Sequence, residues 1–226
     1  MARLGRGRVD FVIEHLEPRV STWVLLEYAH AASIVGRDAL VVTNVPGEGR
    51  ERLRDAGLRL VYGESVADLY EPERLVVLDL KAEQPLRPAD ILGVDAVVVG
   101  GIMGDHPPKG RTWRLLTSRL RGARVRHLGL GQLSVDGAIY VAYMVSRGVE
   151  LGLIPLVEGV RISWKAPLGL EQEVYLPFTY PLVGGKPLLA PGLEEYLRRG
   201  AVYEELAHGL QHVLSRGLGC SDVVDE

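Results

Sequence analysis

The chain has 226 residues, 47% of them hydrophobic, and a formal charge of −3. That is enough apolar material for one large domain or a domain with an appendage, and it excludes a protein coated in positive charge to grip nucleic acid, although not a local basic patch. Cys220 is the single cysteine, which excludes an intramolecular disulfide and a cysteine metal cluster; no metal site is expected.

Residues 1–8 are rich in Arg and Gly without an apolar core, so they read as a flexible basic N-terminus and not a signal peptide. No apolar run reaches membrane-spanning length, so no membrane partner and a cytoplasmic setting are expected. Residues 11–16 (FVIEHL) read as a strand and 21–35 as a helix capped by Ser21 or Thr22. Residues 40–45 (LVVTNV) form a β-branched strand that Pro46-Gly47 ends. A short charged helix follows at 50–55, closed by Gly57. Strands are then expected at 58–62 and 75–80. The valine run of 94–102 predicts a strand buried on both faces, as in a parallel sheet. Residues 112–120 read as a helix, 123–128 as a strand, and 135–145 as a helix with Val135, Ile139, Ala142 and Val145 on one face.

This alternation predicts an α/β fold over residues 9–155, an open and mostly parallel sheet with helices on both faces. The pattern then changes. Residues 160–165 and 171–178 read as a hairpin, 193–198 and 202–215 as helices. Residues 156–226 are therefore expected as a C-terminal hairpin and helical extension packed on the main domain, too short for a core of their own.

Parallel sheets bind ligands at the carboxyl ends of their strands, and three segments occupy such ends. The first is Leu78-Asp79-Leu80-Lys81. The second runs from Gly100, Gly101 and Ile102 through Gly104, Asp105, His106, Pro107 and Pro108 to Thr112. Its glycines let the backbone turn sharply and approach a ligand, and its prolines stiffen the exit. It is not a phosphate-binding P-loop, because Gly110 follows Lys109 where that motif needs Ser or Thr. The third holds Leu128, Gly129, Gly131, Gln132, Leu133 and Ser134, an imperfect Gly-x-Gly-x-x-Gly that is weak evidence alone. The helix start after Ser134 offers free N–H groups, and Leu128, Leu130 and Leu133 suit a flat ring.

Taken together, these stretches resemble a known family. Glu14-His15-Leu16-Glu17, then Trp23 and Leu26-Glu27-Tyr28, are similar to its opening. Gly100 to Pro108 with Arg111-Thr112 is similar to its most specific stretch. Leu128-Gly129 with Gln132 and Ala138-Ile139, then Pro177-Phe178 and Gly185-Lys186-Pro187, follow in order. The family is one of SPOUT-class methyltransferases that includes a fungal ribosomal-protein arginine methyltransferase and archaeal predicted RNA methyltransferases. The resemblance implies a deep trefoil knot and S-adenosylmethionine as the cofactor. It implies that Leu78, Asp79, Gly100, Gly101, Ile102, Gly104, His106, Pro107, Leu128, Gly129, Gln132 and Leu133 wrap it. It leaves monomer and homodimer both open.

Methyl transfer needs an acceptor held in line with the donor and a group to take its proton. An arginine acceptor is charged and calls for carboxylates. Glu14 and Glu17, at the end of the first strand, and Asp105, in the glycine loop, are the nearest candidates; Glu14 and Asp105 are expected to be catalytic. The structural alternative is that Glu14 pairs with a nearby arginine. An RNA acceptor would instead use the basic cluster of Lys109, Arg111, Arg114, Arg119, Arg121, Arg124 and Arg126, which reads equally as a solvated face. The ribosomal-protein acceptor is favoured, with a ribosomal subunit as partner; a non-enzymatic ribosome-binding module is the third reading. Trp23 and Tyr28 are expected in the core, His15 and His30 in structural roles, and His208 and His212 on a helix without a third ligand. Gly101→Val is expected to abolish cofactor binding and leave folding intact.

Overall fold

Six short strands share one sheet in the computed structural model, which describes residues 8–129, 131–165 and 170–199. They are β1 (Asp10–His15), β2 (Leu40–Thr43), β3 (Leu60–Val61), β4 (Leu75–Leu78), β5 (Ala96–Gly101) and β6 (Arg124–Arg126). Their spatial order is β3-β2-β1-β5-β4-β6, and every neighbouring pair is parallel. The longest pairing lies at the centre, where β1 and β5 stay in register from Asp10↔Ala96 to His15↔Gly101.

Both faces are covered, which is why these strands are continuous apolar runs rather than alternating ones. On one face, Phe11, Ile13, Val42, Val97 and Val99 pack under α1 (Thr22–Val35), α2 (Gly47–Asp55), α4 (Pro88–Ile91) and α6 (Val135–Ser146). On the other, Val12, Val41, Val77 and Val98 meet α3 (Val66–Leu69) and the Leu116 and Leu120 side chains that follow α5 (Arg111–Leu115). Ser21 caps α1, its hydroxyl accepting from the Val24 N–H at 3.2 Å. Gly57, at φ 87°, closes the turn after α2 as the sequence predicts.

Three elements differ from expectation. β4 stops at Leu78 because the Asp79 carboxylate accepts the Lys81 N–H at 2.9 Å, a local turn that ends the strand. The helix expected over 112–120 breaks into α5 and a 3-10 turn at Thr117–Arg119. Thr117 is pulled inward there, its hydroxyl donating to Asp79 at 2.5 Å. The single-turn helices α3 and α4 are too short for a 3.6-residue period to register.

The C-terminal part is a long hairpin of β7 (Leu156–Lys165) and β8 (Glu171–Val183), antiparallel, with a bulge between Glu158 and Val160 and a short third strand β9 (Lys186–Pro187). Val160, Ile162, Leu176 and Tyr180 join Leu193 and Leu197 of α7 (Leu193–Arg198) in a core that covers Trp23 and Leu26 of α1. The helix expected over 202–215, with His208 and His212, and Cys220 beyond it lie outside the described residues. Among the described residues no helix is long and apolar enough to cross a membrane.

Gly101 has a packing role that the sequence did not suggest. A Cβ there would overlap the Tyr28 hydroxyl and stand 2.8 Å from Ile13 Cγ2. Tyr28 is buried and pairs with Nδ1 of His15 at 3.0 Å, while burial pushes the His15 imidazole down to about 4 and keeps it neutral. The space beside Gly101 therefore belongs to Tyr28 and not to a ligand, so a branched residue would disturb the core. Gly101→Ala should destabilise the fold by about 1–3 kcal/mol, the usual cost of overpacking. Urea unfolding checks this; an unshifted midpoint would mean that Tyr28 moves aside freely.

Candidate active site

Parallel alignment brings the ends of β4, β5 and β6 to one edge, and the three segments that follow them enclose a cavity of about 190 Å³. Leu78 and Asp79 line it from the first segment. Gly100, Ile102 and Asp105 line it from the second, and Leu128, Gln132 and Leu133 from the third. The wall is completed by Lys81, Thr112 and Val135 from the same segments, and by Val99 and Ala138, which the sequence does not mark as site residues. Those two sit just outside the second and third segments, so extending each by a turn of chain would have found them.

Five expected cofactor residues lie elsewhere. Gly101 packs on Tyr28. Gly104 is pressed between the Gln132 amide and the Phe178 ring and borders a smaller neighbouring cavity. His106 and Pro107 are exposed and do not line the cavity. Gly129 holds a φ of 118°, which favours glycine, and its N–H donates to Nδ1 of His127 at 3.0 Å. Asp79 does line the cavity, but Thr117 and Lys81 occupy its carboxylate, so it shapes the turn.

The two expected catalytic acids have different fates. Glu14 is buried away from the cavity. Its carboxylate accepts from Thr43 Oγ1 at 2.5 Å, Ser65 Oγ at 2.6 Å and the Val66 N–H at 2.9 Å, tying β1 to β2 and to the start of α3. Among the described residues no arginine is bonded to it, so neither the expected catalytic placement nor the alternative ion pair is seen there. Asp105 does reach the cavity wall. Arg111 Nε donates to it at 2.7 Å and the Lys109 ammonium stands 3.6 Å away. Burial is the largest influence and pushes its carboxyl up, but the Arg111 hydrogen bond and the two cationic charges outweigh it and hold it below the usual range. A carboxylate held that way is a poor proton acceptor. Arg111 also donates to Glu17 at 3.0 Å and to the Met103 carbonyl, while the Met103 N–H donates to Glu17 at 2.8 Å. One guanidinium thus fixes the shape of the whole glycine loop.

A smaller cavity adjoins the first and shares Ile102, Leu133, Ser134 and Val135 with it. Trp23, Glu27 and Phe178 line it. Glu27 is 4% exposed and accepts from Trp23 Nε1 at 2.7 Å and from the Val135 N–H at 3.0 Å. Burial pushes its carboxyl up to about 8, the Asp136 charge pushes the same way, and the two hydrogen bonds only partly oppose them. Asp136 in turn bonds His30 Nδ1 at 2.7 Å. The signal in the sequence was a lone carboxylate on an otherwise apolar helix, four residues from Trp23 and so on the same face.

Comparison with known proteins fits this geometry. The crystal structure of dual-specific Trm10 from Thermococcus kodakaraensis superposes with a TM-score of 0.52 at 21% identity, covering 64% of this chain and 95% of that one, and shares the fold. That likeness is one of fold; together with the relatives of about 30% identity that follow, it makes the chain a SPOUT-class methyltransferase. Protein arginine N-methyltransferase SFM1 of Saccharomyces cerevisiae is 30% identical over 206 residues, 84% of this chain and 95% of the relative. The crystal structure of yeast SFM1 complexed with SAM has a TM-score of 0.72 at 29% identity, covering 84% of this chain and 90% of that one. The family model described as protein arginine N-methyltransferase SFM1-like matches residues 10–204, and the chain belongs to that family.

Since the Glu14 carboxylate is taken up by three donors and lines neither cavity, its role is to brace the sheet. Glu14→Gln should lower stability by about 2 kcal/mol, in the range for hydrogen bonds to a charged group, and leave S-adenosylmethionine affinity within twofold. Chemical unfolding and calorimetry measure the two; a large loss of affinity in a stably folded variant would return Glu14 to the site.

Proposed function

We propose that this protein transfers a methyl group from S-adenosylmethionine to an arginine side chain of a ribosomal protein in the cytoplasm. The observation that carries the reading is the convergence of three strand-tip segments on one cleft. It is walled by Leu78, Ile102, Leu128 and Leu133, with Thr112, Gln132 and the charged groups of the glycine loop as polar contacts. An apolar wall with a few polar groups suits a nucleoside. Leu78, Asp79, Gly100, Ile102, Leu128, Gln132 and Leu133 are the residues that would hold the cofactor. When bound it supplies a sulfonium whose methyl carbon is already activated. The chain's own task is then to orient the acceptor, exclude water and take a proton.

The fate of the basic cluster supports a protein acceptor over RNA. Arg126 donates to Asp90 at 2.8 Å, and Arg124 lies 3.9 Å from the same carboxylate and bonds the Asp90 carbonyl. Arg111 is held by Asp105 and Glu17. Three cations of the cluster are thus engaged within the fold and are poorly placed to take phosphate. The same reading takes residues 9–155 as the knotted methyltransferase domain and 156–226 as its extension.

Labelled S-adenosylmethionine incubated with purified ribosomal subunits tests this. Label that survives ribonuclease, disappears on proteolysis and is recovered as methylarginine is expected. Label lost on ribonuclease treatment would replace the arginine acceptor with RNA.

A further inference from the structure

We infer that the small cavity beside the cleft seats the acceptor guanidinium, with Glu27 as the catalytic group that binds it and takes its proton. This rests on the reading of the protein as an arginine methyltransferase. The two cavities share the wall of Ile102, Leu133, Ser134 and Val135. A group in one is therefore the nearest neighbour of a methyl donor in the other. Among the residues lining the smaller cavity, Glu27 alone is ionisable, and it is flanked by the Trp23 and Phe178 rings. Aromatic faces and a carboxylate are what a flat cation requires.

The carboxylate is also equipped for a further ligand. Each oxygen accepts one N–H, from Trp23 and from Val135, and keeps capacity for a second, matching the two-pronged edge of a guanidinium. No Arg or Lys among the described residues is among the causes that act on its ionisation. A buried acid without a cation is costly, and a cationic ligand relieves that cost. The groups that face it from the packed elements are Asp136 of α6, Tyr180 of β8, and Tyr28 and His30 of α1. Their balance is acidic, so Glu27 keeps its proton up to about pH 8 while the cavity holds no cation. An arriving guanidinium reverses that sign and drives the proton off. The resulting carboxylate is then ready to accept one. Asp105, bound to Arg111, lacks this freedom.

The cavity now holds about 10 Å³, the room for one water. Phe178 or Met103 must therefore turn aside as the acceptor enters. In the transfer step the carbon–sulfur bond breaks with its electron pair left on sulfur, and a carbon–nitrogen bond forms to a terminal guanidinium nitrogen. The proton from that nitrogen passes to the Glu27 carboxylate and later to solvent. The methylated guanidinium keeps its positive charge, so charge balances.

The test uses the full chain and three readouts. These are S-adenosylhomocysteine affinity by calorimetry, methylguanidinium binding to that complex by NMR titration, and the pH profile of kcat/KM for methyl transfer. Wild-type kcat/KM should rise with pH, reach half its maximum near 8 and level off above it, because the Glu27 proton of the free enzyme must be given up as the cation binds. Glu27→Gln should keep S-adenosylhomocysteine affinity within twofold, lose methylguanidinium binding and cut transfer at least 100-fold. Trp23→Phe keeps an aromatic ring but removes an N–H that lowers the Glu27 pKa, so its profile should shift to higher pH. Native transfer or native methylguanidinium binding by Glu27→Gln, or an unmoved profile in Trp23→Phe, overturns the inference. A wild type that binds methylguanidinium through Glu27 yet methylates no protein arginine overturns the proposed function and leaves the subsite standing.

Discussion

All six strands of the main sheet run the same way, and the rest of the molecule follows from that constraint. A parallel strand cannot return by a tight turn, so each connection crosses a face of the sheet and covers it. Both faces are buried as a result, and the middle of the sheet is built mainly of Val, Leu and Ile. Buried polar groups are pushed to the strand ends, and the carboxyl ends all lie on one edge. Three of those ends belong to the adjacent strands β5, β4 and β6, and their loops form the larger cavity.

The carboxylates around that edge have been assigned to different tasks by their partners. Glu14 receives three hydrogen-bond donors and braces β1, β2 and α3. Asp105 and Glu17 share Arg111 and set the path of the glycine loop. Glu27 receives only two neutral N–H groups and faces a second acid, Asp136. The group with the fewest stabilising partners is the one left with unspent capacity for a cation. Perturbed ionisation gathers where function needs it, and here it agrees with the geometry.

Much of this was legible in the amino-acid order, for physical reasons. Runs such as Val97-Val98-Val99 announce a strand covered on both sides, and the Gly100-Gly101 pair announces a break at its end. The three segments of the cleft were visible because each follows such a run. The parallel direction could be read from the same runs, but the long-range partners could not. The strand-end position of Glu14 places it near the edge, but nothing local says that Ser65 and Val66, more than fifty residues on, will fold over it. The glycines showed that something must approach closely. They did not show that the visitor at Gly101 is the protein's own Tyr28. Glu27 was passed over among the candidate acids, because its raised ionisation comes from burial in the folded core and from Asp136, on a helix more than a hundred residues away in the chain.

The hairpin reaches further into the site than its place at the end of the chain suggests. The Thr179 N–H donates to the Gln132 carbonyl at 2.8 Å, Leu133 bridges to Thr179, and the Thr179 side chain fills the space beside Gly131. One wall of the cleft is therefore stitched to β8, and Phe178 next to that seam faces the smaller cavity. A lineage that exchanged this hairpin for another would tear out part of the pocket with it. Donor site and acceptor site are heritable only as a single piece, and any remodelling of what the enzyme accepts must proceed without cutting that seam.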